Sequence, residues 1–378
     1  MQTIFQKFSV TFTYPVVFTE NIFDVHNSSL RDVVATDNRN ERRKIIFFID
    51  SEVERWFPKL SDAITSYCKK NKDVFELCCR PLTLPGGEKS KRNKTSFEKI
   101  ISLVEQYGIC RHSYIVAVGG GALIDTVGFA ASVAHRGIRL IRIPTTVLSQ
   151  NDAGIGVKNG INYFGKKNFL GTFSPPFAVI NDFSFITSLD FRDWRSGIAE
   201  AIKVGLIKDA NFFRFIESQT EQLLRRDMNA MQQLIHRCAE IHINHIAGKD
   251  PFESGTSRPL DFGHWSAHKL EQITNFKIRH GEAVACGIAL DSTYSYLSGI
   301  LEERDWRNIL SALKNFGFKI YQEAFDNPEL LKGLDEFREH LGGVLTIMLL
   351  KKIGTGIETH SMDKRLIKKS VALLRNEN

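Results

Sequence analysis

The chain has 378 residues, 43% of them hydrophobic and 25% charged, which suits two domains with ordinary cores and excludes a disordered or disulfide-stapled class. A net charge of +7 invites an anionic partner, but the basic residues are scattered among acidic ones and no basic run is interleaved with aromatics. Nucleic acid is therefore set aside, and a phosphorylated small molecule would need only a few of these lysines. No stretch reaches the apolar length of a membrane span. The six cysteines show no CxxC pair and no framework spacing, as in the reduced thiols of a cytoplasmic protein.

In chain order, the first residues alternate polar and apolar as a strand does, with no signal-peptide core. Lys44–Asp50 is a short apolar run ending in an acid, a buried strand. A helix is predicted over Pro58–Lys69, a strand over Phe75–Leu84 and a helix over Lys94–Tyr107. Ser113–Gly121 runs as a strand into three glycines, from which a helix starts and continues to Val133. Ile138–Pro144 is the next strand. This alternation predicts a parallel α/β sheet. Beyond about residue 185 helical periodicity dominates: Asp193–Ile207, Ala210–Glu217, Met228–Ala247, Phe262–Ile273, Gly281–Ser298, Glu302–Phe316 and Asn327–Leu341. The tail Lys364–Asn378 reads as a basic amphipathic helix on the surface. The predicted domains are residues 1–185 and 186–378.

Three histidines fall within the seventeen residues His264–His280, out of eleven in the chain. His264 and His268 are four apart and share a helix face. Imidazoles converging from neighbouring helices make a metal site. The missing carboxylate is found in Ser196-Gly-Ile-Ala-Glu200-Ala-Ile-Lys203, where small apolar neighbours place Glu200 inside a helix bundle. A buried carboxylate is paired or metal-bound. Glu200, His264 and His280 form a set that leaves a coordination position open for substrate. A competing cluster, His236, His242 and His245, has no carboxylate nearby and reads as an exposed helix face. Gly119–Gly121 closes a strand and opens a helix, so its backbone N–H groups can approach a phosphate. It does not match GxGxxG, and a plain tight turn explains it equally well. Glu88 and Lys91, in a polar loop after a strand, offer contacts to ribose hydroxyls, although a plain turn explains the loop as well. A Gly-rich segment carries Asp152, Lys158, Lys166 and Lys167, a lysine set suited to an anionic ligand, although solvated loop lysines explain it as well.

Taken in order, VGGGALID, RIPTT, GVKNGIN, KKNFLGTF, GIAEAIKVG, GHxxxH and HGEAVA resemble the dehydroquinate synthases and their relatives, the sugar phosphate cyclases. The resemblance runs from about Asp50 to Phe316. It implies an α/β, Rossmann-like nucleotide-binding domain followed by an all-α metal-binding domain, a tightly held NAD+, a catalytic Zn2+ or Co2+, and a homodimer. By position it implies Glu200, His264 and His280 as metal ligands. It places Asp50, Glu88, Lys91, Gly120, Gly121, Asp125, Thr145 and Thr146 on the cofactor. Asp152, Lys158, Lys203 and His268 take catalytic positions; Arg136, Lys167 and Asn168 take substrate positions.

The chain also departs from the dehydroquinate synthase pattern. Two places before the glycine of GHxxxH stands Asp261 instead of Asn, Ser257 stands where the carboxylate-binding Arg would be, with Arg258 one place off, and His242 replaces a helix Lys. An acid repels a carboxylate substrate and suits a hydroxyl. The segment around Arg338 and His340 looks like 2-epi-5-epi-valiolone synthases, which cyclise sedoheptulose 7-phosphate, and makes both residues candidate substrate contacts. The reading is therefore a cyclase of that substrate, with 3-dehydroquinate synthase and 2-deoxy-scyllo-inosose synthase as alternatives. A metal-dependent polyol dehydrogenase is the alternative from a different reaction class, and a non-enzymatic scaffold a third.

Overall fold

The computed structural model describes residues 2–37, 41–92, 94–164, 166–248, 250–252, 259–340 and 343–378. The chain forms two compact units, Met1–Thr145 with Val157–Ser184, and Thr146–Gly156 with Phe185–Asn378.

The first unit is built on a seven-stranded parallel sheet. Its strands are β1 (Val16–Thr19), β2 (Arg43–Asp50), β3 (Phe75–Leu77), β4 (Leu82–Leu84), β5 (Tyr114–Gly119), β6 (Arg139–Pro144) and, after a hairpin, β9 (Ala178–Asp182). The hairpin pairs β7 (Lys158–Tyr163) antiparallel with β8 (Lys166–Phe173). Every residue of β5 and β9 is buried, and nearly every residue of β2. Such continuous apolar runs belong to strands covered on both faces. The sheet order is β1-β9-β6-β5-β2-β3, with β4 also on β2. The run predicted as one strand over Phe75–Leu84 is thus two short strands that share the edge of β2. The chain builds outward from β2 to β3 and β4, then returns to the other side of β2 as β5. The strand order therefore reverses between β2 and β5, and ligands of such sheets bind outside the strands' carboxyl ends at a reversal of this kind. The alternating N-terminus is strand only at Val16–Thr19, where β9 offers a partner.

The second unit is helical. The helix His280–Leu297 is buried on almost all sides, from Gly281 through Ser295, so it reads as apolar all round. Around it lie Phe191–Lys208, His264–Ile273, Glu303–Asn315 and Lys364–Glu377. The last buries Ile367, Val371 and Leu374 on one face and exposes its lysines. The unit also carries an antiparallel ribbon, β10 (Ile347–Lys352) with β11 (Thr355–Thr359), which helical periodicity did not announce. The predicted helix 327–341 begins as a short 3-10 turn, Pro328–Leu331, before Lys332–His340. All six cysteines are free. Among the described residues, no helix is long and apolar enough to cross a membrane.

Candidate active site

In the helical unit three helices bring Glu200, His264 and His280 together. Glu200 lies on Phe191–Lys208 and is fully buried. His264 and His280 are the first residues of their helices. The helices can close on one another because glycines stand at the crossings. A Cβ on Gly281 would lie 2.4 Å from Ser196 Cα, and one on Gly287 would lie 2.0 Å from the Gly263 carbonyl. Glu200 Oε1 is 3.2 Å from His280 Nε2 and 3.5 Å from His264 Nε2. The opposite ring nitrogens are held elsewhere: His264 Nδ1 lies 3.1 Å from the Phe262 carbonyl, and His280 Nδ1 lies 3.2 Å from Glu271 Oε2. This is how metal-binding imidazoles are oriented, with Nδ1–H donated outward and the Nε2 lone pair turned inward. Neither Glu200 oxygen accepts a well-aligned hydrogen bond, although both are buried. A buried carboxylate so placed, with two Nε2 atoms facing it, fits a divalent cation of zinc type. A second set, His268, Glu271 and His280, also lies within ligand distance. It would take Glu271 away from orienting His280, so the Glu200 set is the better cage. His268 completes the ring of imidazoles, its centroid 5.4 Å from that of His264 and 5.8 Å from that of His280.

Lys203 joins this cluster from one turn along the helix, its Nζ 2.6 Å from Glu200 Oε2. Burial alone raises the Glu200 pKa, but the Lys203 charge and the two imidazoles outweigh it and hold the group well below the usual range. Burial lowers the Lys203 pKa, and the carboxylates of Glu200, Asp152 and Asp261 more than reverse that, so the ammonium is kept charged. Asp152 lies in a wide turn, Ser149–Ala153. Burial raises its pKa, but Lys203 and His242 bring it below normal against the repulsion of Glu200. His242 Nδ1 is 2.9 Å from Asp152 Oδ1. The exposed-face reading therefore fails for His242, because tertiary folding supplies the carboxylate that local sequence lacked. His236 on the same helix is exposed.

In the first unit, the predicted cofactor residues gather at the carboxyl edge where the sheet order reverses. Asp50 ends β2 and accepts from Glu52 N at 2.9 Å. Gly119 ends β5, and Gly120 and Gly121 open the helix to Val133 with no side-chain cap on their N–H groups. Thr145 follows β6, and its N–H donates to the Gly119 carbonyl at 3.0 Å. A Cβ on Gly86 would stand 2.0 Å from an Asp50 oxygen, so only glycine lets that loop lie against the acid. Lys91 pairs with Asp125 and donates to Asn168 Oδ1 at 2.8 Å. Asn162 Nδ2 donates to Glu88 Oε2 at 3.0 Å, and Lys167 Nζ lies 3.7 Å from Glu88 Oε1. Glu88, Lys91, Asp125, Lys167 and Asn168 thus form one polar network. Asn162, which the sequence did not single out, ties the hairpin to it. An uncapped helix start beside an acid on the neighbouring strand fits the pyrophosphate and ribose of a dinucleotide.

Lys158 opens β7 with an exposed side chain. Thr146 falls in the other unit from Thr145, with its hydroxyl 2.8 Å from Ser149 Oγ. Asp261 ends a 3-10 turn just before Phe262 and Gly263. Arg136 follows the far end of the helix 121–133 and lines an open cavity of about 560 Å³ with Arg111, His112 and His135. Helix length alone separates it from the glycine turn by about 20 Å. Arg338 is exposed and pairs with Asp335 at 3.5 Å. The side chain of His340, and Ser257 and Arg258, lie outside the described residues. Sequence reasoning missed Glu271, although His264, His268 and Glu271 follow i, i+4, i+7 spacing and so share one helix face.

Family models of the 3-dehydroquinate synthase N-terminal and C-terminal regions match residues 81–196 and 197–336. The chain belongs to the 3-dehydroquinate synthase family. Among its relatives, a 2-epi-5-epi-valiolone synthase of Streptomyces glaucescens is 32% identical over 84% of this chain and 79% of its own length. A 3-dehydroquinate synthase of Dictyoglomus thermophilum is 38% identical over 72% of this chain and 76% of its own. The structure of a 2-epi-5-epi-valiolone synthase of Streptomyces hygroscopicus, which holds NAD+ and Zn2+, superposes with a TM-score of 0.88 at 27% identity, covering 99% of this chain and 100% of that one. A 2-deoxy-scyllo-inosose synthase, at 23% identity and a TM-score of 0.75, shares the fold.

Proposed function

We propose that this family member is an NAD+- and metal-dependent sugar phosphate cyclase, a phosphate-eliminating carbon–oxygen lyase, that converts sedoheptulose 7-phosphate to 2-epi-5-epi-valiolone. The observation that carries the choice of substrate is Asp261, whose charge reaches Lys203 beside the Glu200–His264–His280 cluster. An acid there repels a substrate carboxylate and accepts a hydrogen bond from a hydroxyl. The Streptomyces glaucescens relative, over 84% of this chain, supports the same choice.

In this reading Glu200, His264 and His280 hold Zn2+ or Co2+. Asp50, Glu88, Lys91, Gly120, Gly121, Asp125, Thr145 and Thr146 hold NAD+. When bound, the two groups would supply a Lewis acid for a hydroxyl on the sugar ring and a reversible hydride acceptor. Transient oxidation of that hydroxyl would acidify the adjacent C–H and let phosphate leave by elimination, after which re-reduction, ring opening and an internal aldol reaction would close the carbocycle. Lys158, Lys167 and Asn168 bind the phosphate as it becomes a leaving group. Lys203, kept charged, stabilises developing negative charge on oxygen. Asp152 orients a substrate hydroxyl, and His268 relays a proton to or from the reacting oxygen. Arg136 is a further candidate phosphate contact, and the proposed assembly is a homodimer. Arg338 and His340 contribute substrate contacts in the same proposal, which places the enzyme in the cytoplasm.

The second reading, 3-dehydroquinate synthase, is favoured by the 38% identity to the Dictyoglomus enzyme. The test is phosphate release and product mass from sedoheptulose 7-phosphate, 3-deoxy-arabino-heptulosonate 7-phosphate and glucose 6-phosphate, each with NAD+ and Zn2+ or Co2+. Turnover of the second substrate alone overturns the proposal in favour of dehydroquinate synthesis. Accumulation of NADH without phosphate release identifies a dehydrogenase.

A further inference from the structure

Asp291 lies on the His280 helix, three turns beyond that histidine, and is fully buried. Its Oδ2 accepts from the Gly263 N–H at 3.0 Å and its Oδ1 from Trp265 Nε1 at 2.8 Å. These two donors flank His264 on either side. Gly263 has φ +76° and is the cap of the His264 helix, with no side chain to satisfy that end. The carbonyl before it, that of Phe262, fixes His264 Nδ1. Gly287, on the Asp291 helix, lies against Gly263 so closely that no Cβ fits at either position. The helix that carries His280 therefore also grips the turn that carries His264. An apolar residue would satisfy packing at position 291. A carboxylate offers each of the two donors its own oxygen, whereas an amide in the same pose offers one oxygen and one N–H2.

We propose that Asp291 is a positioning residue of the metal site: through Gly263 and Trp265 it fixes His264 relative to His280. The inference rests on the reading of Glu200, His264 and His280 as metal ligands. It explains why a carboxylate is kept in a core where its burial is costly. Asp291→Asn preserves the shape but turns an N–H2 toward one of the two N–H donors.

The test uses metal-free full-length protein. Zn2+ affinity is measured by competition with a chromophoric chelator, and the ligand field by the visible spectrum of the Co2+ form. Asp291→Asn is expected to weaken Zn2+ binding about 10–100-fold and to shift the Co2+ bands, with NAD+ affinity unchanged. Trp265→Phe, which deletes one donor and keeps the ring, is expected to weaken Zn2+ binding by about threefold or more and decides the matter if Asp291→Asn does not fold. Affinities within twofold of wild type and an unchanged Co2+ spectrum in the folded variants overturn the role of Asp291. A Glu200→Ala control separates the two levels: if it binds Zn2+ like wild type, the ligand reading falls and takes this inference with it.

Discussion

Glu200→Gln removes a charge and leaves the shape of a fully buried side chain unchanged, so its effects isolate electrostatics. Glu200 Oε2 is 2.6 Å from Lys203 Nζ, and Lys203 is only 2% exposed. At an effective dielectric constant of about 20, a unit pair at that distance attracts by roughly 6 kcal/mol. Most of that offsets the cost of burying two charges, but removing one partner leaves the other stranded at about 3–5 kcal/mol. Asp152 also faces Lys203, which places the expected loss near 3 kcal/mol. The assay is urea unfolding of the metal-free protein, followed through Trp194, Trp265 and Trp306, all buried in the helical unit. Glu200→Gln should lower the midpoint, and adding Lys203→Met should recover most of the loss, because the stranded ammonium is gone. Zn2+ affinity should stay reduced by more than about 100-fold in both variants, since a ligand itself is lost and its orienting partners alone are worth 10–100-fold. If the double variant is as unstable as the single one, or less stable, the stranded-charge argument is refuted.

Burial raises the Asp291 carboxyl to about 7, and a raised acid costs stability above its unfolded value. The stability of wild type relative to Asp291→Asn should therefore fall as pH rises from about 4 to about 7, by roughly 4 kcal/mol at about 1.4 kcal/mol per pH unit, and be flat above. Paired urea titrations across that range check it, and a pH-independent difference would contradict it. Gly281→Ala should cost about 1–3 kcal/mol by overpacking, and should weaken Zn2+ binding, because the new Cβ meets Ser196 backbone one turn from Glu200; unaltered Tm and Zn2+ affinity would show that the helices are not locked there. Gly86→Ala should displace the Asp50 carboxylate, which its Cβ would approach to 2.0 Å. Losing one charged hydrogen bond of about 1.5–3 kcal/mol predicts a roughly 10–100-fold weaker NAD+ Kd by calorimetry. An unaltered Kd would remove Asp50 from the cofactor site.

The alternation of strands and helices in the first half is legible in the chain alone, because buried parallel strands such as Tyr114–Gly119 are written as unbroken apolar runs. The chain also pointed to Glu200, His264 and His280, because an acid among small apolar residues and three histidines within seventeen residues are local signals. What surrounds them is set by packing between elements far apart in the chain. The edge strand split into β3 and β4 because both segments compete for one side of β2, a choice no local pattern encodes. The hairpin of β7 and β8 read as a lysine-bearing loop because its face toward the helix 121–133 is held by polar contacts, such as Ser132 Oγ to Thr172 Oγ1 at 2.8 Å, instead of apolar alternation. His242 looked like a solvated residue until the turn carrying Asp152 was folded against it. Asp291 was only one acid in a buried helix until its two donors, 26 and 28 residues away, came within reach. Ligand types are local chemistry and can be read from a chain. The partners that orient them are fixed by packing between helices, and packing distance has no counterpart in sequence distance.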